Sequence, residues 1–414
     1  MVSQSHDSPS GPLRSSIMAV TLVIVIALGW VSVYRAAYSA DHRSDFTVYT
    51  AAGRAVLAGA DLYKAKNPRG LSYVYPPPFA ILMVPFSVLP VTLGTLLWYA
   101  LSVVLALWSL RMCVRMVREE RGLQEAVFWP AVVGAVLVLP WLVQGIVEGQ
   151  ASVVLAWLVV AALYWQRSGR PGLGATCLAG AILVKVLPLV LLAYFAWRKR
   201  WRFVAATLVM MVILGFCIPI LVFGPRSTAA YWREWVSLVA TPSLGSDQDR
   251  RESPVDGQLL SPYKARSQTL TAVCCRLVGS DHGRELANSV AVVMLVIIGL
   301  VGWRSRPESE LLVISAILVW MLLAAPLSEF HYLLVLLLPM MALVFVAAYE
   351  AGAVTRWGAR ATLVAFAAAG LLTLAFVPLQ QIGLLCWAMI GLWGVLLAVV
   401  VRQARMSRSQ SLGV

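Results

Sequence analysis

Long apolar runs recur along this 414-residue chain, and they restrict its possible folds more than any single motif does. The composition is 60% hydrophobic and only 13% charged, with a mean hydropathy of +0.81. Such runs can lie in lipid only if every backbone N–H and C=O group is paired within the protein, as in helices or closed barrels. Because the period-two alternation of strands is missing, the sequence predicts membrane-spanning helices.

The positions of the runs predict an all-α, polytopic integral membrane protein with about 12 transmembrane helices of about 20 residues each. Residues 1–414 then form a single transmembrane domain. The run at 172–198 is too long for one crossing, and Lys185 followed by Pro188 predicts two half-helices that meet near the lysine. The first run lacks a small-residue cleavage site and is interpreted as an uncleaved helix rather than a signal peptide. The predicted spans are 17–37, 91–112, 126–146, 150–166, 172–185, 186–198, 202–224, 284–303, 310–326, 331–349, 360–378 and 383–401.

The net charge of +14 comes from short Lys and Arg clusters between the runs, of which Arg198–Arg202 is the densest. Clusters of this kind follow the positive-inside rule, so we expect a lipid bilayer and no nucleic acid as a partner. With the predicted spans, all clusters fall on the side of the N-terminus, which becomes the cytoplasmic side. The opposite side receives 38–90, 148–150, 225–283, 326–332 and the break at Lys185.

The segment 38–90 is the first outer loop, and it contains a helical pattern. Phe46, Tyr49 and Val56 recur at helical spacing, and Ser44 or Asp45 is a suitable N-cap residue. The pattern predicts an amphipathic helix that lies on the membrane surface.

Two other stretches differ from simple spans. Residues 76–90 are apolar but rich in proline, and they are interpreted as a re-entrant or interfacial element. Residues 225–283 are too polar to insert, and they predict a long outer loop with the length of a lid or binding segment.

Asp45 lies just after the first span, at the boundary between membrane and water. A carboxylate in that position is energetically expensive and is therefore a candidate for function. One interpretation is an N-cap of the following helix. The other is a general base that takes a proton from a hydroxyl acceptor. The two roles exclude each other only in part.

Polar positions farther along the chain face the same predicted side. Glu148 and Gln150 flank Gly149 at a tight turn between two spans, either as a polar hairpin tip or as groups that hydrogen-bond sugar hydroxyls. Lys185 lies among apolar residues, where a lysine must snorkel, pair or face a cavity. As a compact cation it suits a phosphate, and the alternative is a snorkelling anchor.

His331 and Arg266 complete the candidates on this side. His331 stands at a predicted helix start, where both a structural and a functional role are open. Glu329 is two residues away, a spacing at which helical neighbours do not face each other. Arg266 ends the long outer loop and either binds a phosphate through two hydrogen bonds or is a solvated charge.

No cofactor or metal is expected. The six cysteines show no metal-ligand spacing and lie mostly in apolar runs. A Gly-rich phosphate loop is missing from the sequence, so a nucleotide-sugar or ATP site is not predicted.

Taken in chain order, these positions resemble the motifs of glycosyltransferase family 87, a group of membrane transferases of the GT-C class. Six segments on one predicted face, spread over most of the chain, carry the resemblance. They are Asp45-Phe46 with Tyr49, Gly59-x-Asp61-x-Tyr63, Tyr73-x-Tyr75-Pro76-Pro77, Gly149-Gln150, Lys185-x-x-Pro188, and Pro326 with His331-Tyr332.

The resemblance implies a GT-C fold and transfer of a hexose, most simply mannose, from a polyprenyl-phosphate donor to a lipid-linked or cell-envelope glycan, with inversion. It also implies an active site on the extracytoplasmic face of a bacterial plasma membrane, with Asp45 as the general base. The candidates for holding the donor phosphate are Lys185, His331 and Arg266. The candidates for binding the sugar or the acceptor are Tyr49, Tyr75, Glu148, Gln150 and Gln268.

Departures from the family pattern concern the acceptor and the fine geometry. Ser267-Gln268-Thr269 stands where family members tend to have Asn-Gln-Ser, and a single His331 stands where they often have a Trp and two histidines. Two other interpretations are open. One is a transporter of lipid-linked sugars, although no internal repeat is visible. The other is a transferase for a different polyprenyl-phosphate sugar, such as a pentose.

Overall fold

A computed structural model describes residues 23–39, 44–123, 127–244 and 263–411. These residues are mostly helical, and the β pairing within them is an isolated bridge between Lys66 and Ser72. Their helices are α1 (Val23–Tyr38), α2 (Phe46–Ala58), α3 (Pro77–Leu82), α4 (Val84–Ser87), α5 (Val91–Glu120), α6 (Phe128–Val147), α7 (Ser152–Arg167), α8 (Pro171–Val184), α9 (Leu189–Trp197), α10 (Trp201–Phe223), α11 (Pro225–Trp235), α12 (Leu270–Val278), α13 (Ser280–Trp303), α14 (Glu310–Leu323), α15 (Phe330–Tyr349), α16 (Ala353–Ala375), α17 (Val377–Gln381) and α18 (Leu384–Ser411).

Seven helices in the described residues are long and apolar enough to cross a membrane, namely α5, α6, α10, α13, α15, α16 and α18. The helices α1, α7 and α8 are also apolar but shorter. The all-α, polytopic architecture is therefore confirmed. The count of about 12 crossings and the assignment of the whole chain to one domain stay predictions.

The break within the run 172–198 is confirmed. Helix α8 ends at Val184, Lys185 is extended with φ −154° and ψ 130°, and α9 begins at Leu189. Pro188 explains the break, because it has no N–H for a helical hydrogen bond and disfavours helical backbone at the preceding residue. Lys185 therefore lies between two short helices, where its side chain can turn toward the polar end of the bundle.

The predicted helix after the first span is confirmed as α2, which ends at Gly59 with φ +62°, a left-handed conformation that favours glycine. Its surroundings differ from those of a helix on a bilayer surface, because its residues from Phe46 to Gly53 are all buried. The predicted capping by a side chain is wrong for Asp45. This residue occupies the N-cap position but makes no side-chain cap hydrogen bond.

The outer segment 225–283 is helical over most of its described residues, with an irregular stretch at 263–269. Helix α11 packs on the first outer segment, because Trp235 Nε1 donates to the Val74 carbonyl at 3.2 Å and the Tyr231 hydroxyl donates to the Ala60 carbonyl at 3.2 Å. Indole and phenol groups that are partly buried usually find such partners. Residues 245–262 of this segment lie outside the described residues.

Helix α15 lies at the centre of the bundle, and its side chains from Phe330 to Ala347 are buried. A helix that is apolar on every face belongs in the interior of a protein. Peripheral helices instead expose large apolar side chains, such as Leu221, which is 85% exposed, and Leu300, which is 65% exposed. Apolar faces of this extent suit contact with lipid. The central helix thus carries His331 at its first turn, at the polar end of the bundle.

A cluster of ion pairs joins the helix ends at the other end of the bundle. Arg167 pairs with Glu120 at 2.8 Å and with Glu310 at 3.0 Å. Arg200 pairs with Glu310 at 2.6 Å, and the Tyr194 hydroxyl donates to the same carboxylate at 3.1 Å. These contacts connect α5, α7, α9, α10 and α14. Arginines from separate predicted loops therefore meet at one end, as the charge pattern requires.

Replacing Glu310 with Gln is expected to destabilise the bundle, because Arg167 and Arg200 lose the carboxylate that they share. Breaking a buried ion pair costs about 3–5 kcal/mol, and the partial exposure of both arginines puts the loss near the lower end of that range. The temperature of unfolding in detergent, followed by tryptophan fluorescence, should fall by several degrees.

The matched control is Glu119→Gln, since Glu119 is exposed at the same end of α5. Its effect should stay within about 0.5 kcal/mol. If the two variants unfold at the same temperature, the ion-pair cluster does not stabilise this end of the bundle.

Candidate functional site

Asp45 lies where α2 meets the turn after α6. Its backbone N–H donates to the Glu148 carbonyl at 2.9 Å, and its carboxylate accepts a hydrogen bond from Gln150 Nε2. The side chain is partly exposed. The carboxylate makes no cap hydrogen bond to α2. The structure therefore does not support the interpretation of Asp45 as an N-cap.

Gly149 makes this contact possible. Its φ is +66°, and a Cβ atom built at this position would lie 2.5 Å from Ser44 Oγ and 2.9 Å from Phe46 Cβ. A side chain would therefore collide with the residues on either side of Asp45. The Gly149 carbonyl also accepts a hydrogen bond from Trp98 Nε1 at 3.2 Å, which fixes the turn against α5. The glycine thus allows a close approach as well as a left-handed backbone.

A chain of hydrogen bonds runs from Asp45 into a group of tyrosines. The Tyr49 hydroxyl donates to Gln150 Oε1 at 3.5 Å and lies 3.1 Å from the Tyr75 hydroxyl. The Ala151 N–H donates to Tyr49 at 3.3 Å. Gln150 and Tyr49 are both almost fully buried, so their positions are fixed. Three of the sequence candidates therefore lie together beside the acid.

The surroundings of Asp45 favour its protonated form. Burial and, secondly, the negative charge of Glu148 raise its pKa from 3.8 to about 6. Glu329 adds a smaller effect in the same direction, while the hydrogen bond from Gln150 and the charge of Arg69 act the other way. Removing a carboxylate from water disfavours its charged form, and a neighbouring carboxylate does the same. A pKa near neutrality suits a group that exchanges protons.

Lys185 reaches the same region from the break between α8 and α9. Its Nζ lies 3.1 Å from the centroid of the Tyr332 ring, and its ammonium has no carboxylate within 4 Å among the described residues. The Tyr332 hydroxyl in turn interacts with that of Tyr75. A cation against an aromatic face is stabilised, yet it keeps its capacity to bind an anion. Tyr332 was not among the predicted binding residues. In the sequence, only its position next to His331 indicated that it could lie in the site.

His331 is buried at the start of α15, with 3% of its surface exposed. Neither ring nitrogen has a hydrogen-bond partner in the described residues. Its Nδ1 lies 3.7 Å from Glu148 Oε2, which is beyond hydrogen-bond distance. A buried polar group without a partner is unfavourable, so an imidazole in this state is prepared for a partner that the protein does not supply.

Arg266 pairs with Glu148, Nη2 to Oε1 at 3.1 Å, and its side chain is half exposed. The same carboxylate oxygen accepts from Gln144 Nε2 at 3.2 Å. The Glu148 carboxylate thus accepts hydrogen bonds from two side chains of the protein itself, Arg266 and Gln144. The predicted hydrogen bonding of Glu148 to sugar hydroxyls competes with these contacts. Gln144 was not singled out in the sequence, although it lies four residues before Glu148 on one helix.

Gln268 is used differently from the other candidates. Its Nε2 donates to the carbonyls of Ala265 at 2.8 Å and Gln380 at 3.0 Å, and its backbone N–H donates to the Ser328 carbonyl at 3.1 Å. It is 1% exposed. These contacts join three outer segments, so Gln268 holds the site together. Its role in binding a sugar stays a prediction that these contacts do not favour.

Asp45→Asn is expected to stabilise the protein at neutral pH. The folded-state pKa of Asp45 is raised to about 6, so its stabilising contribution is complete below about pH 4 and is lost as pH rises through 6. At pH 7.5 the wild type carries the cost of a buried charge, and the amide does not. The temperature of unfolding in detergent should be higher for the variant by about 2–4 °C at pH 7.5, with a smaller difference at pH 4.5.

The control for this measurement is Asp61→Asn, an acid of the same outer segment that pairs with the exposed Lys64. It should show no gain at pH 7.5. A wild type that unfolds at a higher temperature than Asp45→Asn at pH 7.5 would contradict the assigned surroundings of Asp45.

Comparisons with known proteins place this chain in a family. The sequence model of glycosyltransferase family 87 matches residues 73–328, more than half of the chain. Asp45 lies 28 residues before the matched segment, and His331 lies three residues after it. A curated relative from Mycobacterium tuberculosis is 27% identical over 341 residues, covering 69% of this chain and 76% of the relative. It is named polyprenol-phosphate-mannose-dependent alpha-(1-2)-phosphatidylinositol mannoside mannosyltransferase.

Two crystal structures of ArnT from Cupriavidus metallidurans are similar at 16% identity. The match to the structure bound to undecaprenyl phosphate has a TM-score of 0.40 and covers 92% of this chain. The match to the apo structure has a TM-score of 0.41 and covers 93% of this chain. Each match covers 77% of the ArnT chain. The family match confirms the resemblance of the motifs, and this chain belongs to glycosyltransferase family 87 and is a membrane-embedded glycosyltransferase.

Proposed function

We propose that this enzyme transfers mannose from a polyprenyl-phosphate donor to a hydroxyl group of a lipid-linked or cell-envelope glycan, with inversion at the sugar. The observation that carries the proposal is the position of Asp45. Its carboxylate is free of a capping role, and its neighbour Glu148 contacts Arg266 and lies near His331. A base and a set of cations are the two parts that this reaction needs.

The donor class rests on the family and on the chemistry of the cations. The mycobacterial relative is named for dependence on polyprenol-phosphate mannose. Lys185, Arg266 and His331 form a group that suits a phosphate, since Lys185 and Arg266 are basic and His331 has two unpartnered nitrogens. A lipid donor diffuses within the bilayer, so a site at the end of the apolar helices is accessible to it.

Asp45 is the general base of the proposed reaction. Its Oδ atom takes the proton of the acceptor hydroxyl as that oxygen attacks C1 of the donor sugar. The bond between C1 and the phosphate oxygen breaks on the opposite face, which inverts the configuration at C1. Gln150 orients the carboxylate through its hydrogen bond, and Tyr49 and Tyr75 lie beside it as groups for the sugar or the acceptor.

The leaving group is the polyprenyl phosphate, which departs with the bonding electron pair. Its negative charge increases as the bond breaks, and fixed cations stabilise that change without reorganisation. Lys185 and Arg266 supply positive charge, and His331 supplies a ring nitrogen. Because a phosphate is a good leaving group when its charge is compensated, no side chain has to donate a proton to it.

The sidedness of the site follows from the two ends of the bundle. Arg121, Arg167 and Arg200 lie at the end opposite to Asp45, and the positive-inside rule assigns such clusters to the cytoplasm. We therefore infer that the site opens on the extracytoplasmic face of a bacterial plasma membrane.

Asp45→Asn should reduce transfer by at least about 100-fold, since a lost general base costs 10²–10⁴ in rate. The assay is transfer of radiolabel from polyprenyl-phosphate mannose to a membrane lipid extract by purified protein. The wild-type rate should also fall about tenfold per pH unit below pH 6, because Asp45, with its pKa of about 6, must be deprotonated to act.

The variant should remain folded, as its thermal unfolding shows. Transfer by Asp45→Asn at near wild-type rate would refute the role of Asp45 as the base. If the folded wild type does not transfer mannose, the same assay with a pentose on polyprenyl phosphate tests the donor.

Lys185→Gln is expected to raise the KM for the donor by about 10-fold or more, because a charge-assisted bond to the phosphate contributes roughly 1.5–3 kcal/mol. Lys185→Arg should recover part of the affinity, since it restores the charge. The control is Lys64→Gln, as Lys64 is exposed and pairs only with Asp61 among the described residues. An unchanged KM for Lys185→Gln would remove Lys185 from the phosphate site.

A further inference from the structure

Glu148 contacts more of the site than its position in a hairpin suggested. One carboxylate oxygen accepts from Arg266 at 3.1 Å and from Gln144 at 3.2 Å. The other lies 3.7 Å from His331 Nδ1. An acid therefore lies among the groups that would hold a phosphate, in the place where the anion would bind.

The contact with Arg266 is suited to exchange. It uses one nitrogen of the guanidinium, Nη2, rather than two, and the arginine side chain is 50% exposed. An ion pair in which the arginine is half exposed contributes little. The phosphodiester of the donor carries one negative charge, as the carboxylate does, but it can accept two parallel hydrogen bonds from the same guanidinium. A donor phosphate can therefore displace this carboxylate at low cost.

Glu148 can move without disturbing Asp45. Its backbone is held by the bond from the Asp45 N–H to its carbonyl at 2.9 Å, and it caps α6 with φ −82° and ψ −4°. The side chain beyond Cβ is only 18% exposed, yet its contacts are to a half-exposed arginine, an amide and an imidazole without hydrogen bonds. The carboxylate can thus leave Arg266 while the turn stays in place.

We propose that Glu148 is a built-in anion that occupies Arg266 between turnovers and is displaced from it by the phosphate of the donor. The inference rests on the proposed function, since it assigns a phosphate to Lys185, Arg266 and His331. It replaces the sugar-binding role of Glu148 with that of a positioning residue. In the empty site the carboxylate limits repulsion between the cations and reduces binding of other anions.

The first experiment measures binding of a short-chain prenyl phosphate to wild type and to Glu148→Gln. The amide keeps the shape but removes the competing charge, so binding should become about three- to fivefold tighter, as expected for loss of a weak ion pair. With the full donor, KM should fall, because the donor no longer has to displace a carboxylate from Arg266. A role in binding sugar hydroxyls would raise KM instead and would overturn the inference.

The matched control is Glu285→Gln, which removes an exposed acid at the start of α13 without touching the cations. Its affinity for the prenyl phosphate and its kinetics should remain those of wild type. Equal affinities of Glu148→Gln and wild type overturn the inference alone, provided that Lys185→Gln weakens binding. Failure of the wild type to bind the prenyl phosphate overturns the proposed function together with it.

A measurement on the wild type guards against a variant that does not fold. In an experimental structure of the complex with the prenyl phosphate, Arg266 should contact the phosphate, and its distance to Glu148 should exceed the 4 Å limit of an ion pair. A complex in which Arg266 still pairs with Glu148 overturns the inference.

Discussion

The candidate site depends on one contact between distant parts of the chain, the docking of the turn at residues 148–150 onto the start of α2. The Glu148 carbonyl accepts the N–H of Asp45, and Gln150 donates to its carboxylate. The left-handed Gly149 permits the approach, because a Cβ atom there would collide with Ser44 and Phe46. Through this turn the acid is fixed relative to Tyr49 on one side and to Arg266 and His331 on the other. Without it, Asp45 would be an ordinary residue at the N-terminus of a helix.

The bundle separates two kinds of charged cluster. At one end, Glu310 shares its carboxylate between Arg167 and Arg200, and the charges are largely compensated. At the other end, Lys185 has no carboxylate within 4 Å in the described part of the chain, and both nitrogens of His331 are unpartnered. Compensated pairs join helices, whereas uncompensated groups are available to a ligand. The difference fits a structural role for the cluster around Glu310 and the ligand-binding role that we propose for Lys185 and His331.

Much of the architecture could be predicted because lipid imposes a simple rule. Apolar runs gave the helices, and the Lys185-x-x-Pro188 spacing gave the break between α8 and α9. The helix after the first span was also predictable from its spacing. The helical structure of α11 and the burial of α2 were not, because both result from packing between outer segments. The role of Gln268 in joining three segments has the same origin.

By itself the sequence determined the class of the protein, the helical spans, the sorting of charges to two sides and the residues that stand on the side of Asp45. These follow from hydropathy and local backbone chemistry, which act along the chain. Only the tertiary structure decided the partners: Gln150 for Asp45, Arg266 for Glu148, Tyr332 for Lys185, and no hydrogen-bond partner among the described residues for His331. These partners are more than a hundred residues apart in the chain, and they meet through packing. The choice of partner depends on distances of a few ångströms, which no local sequence pattern encodes.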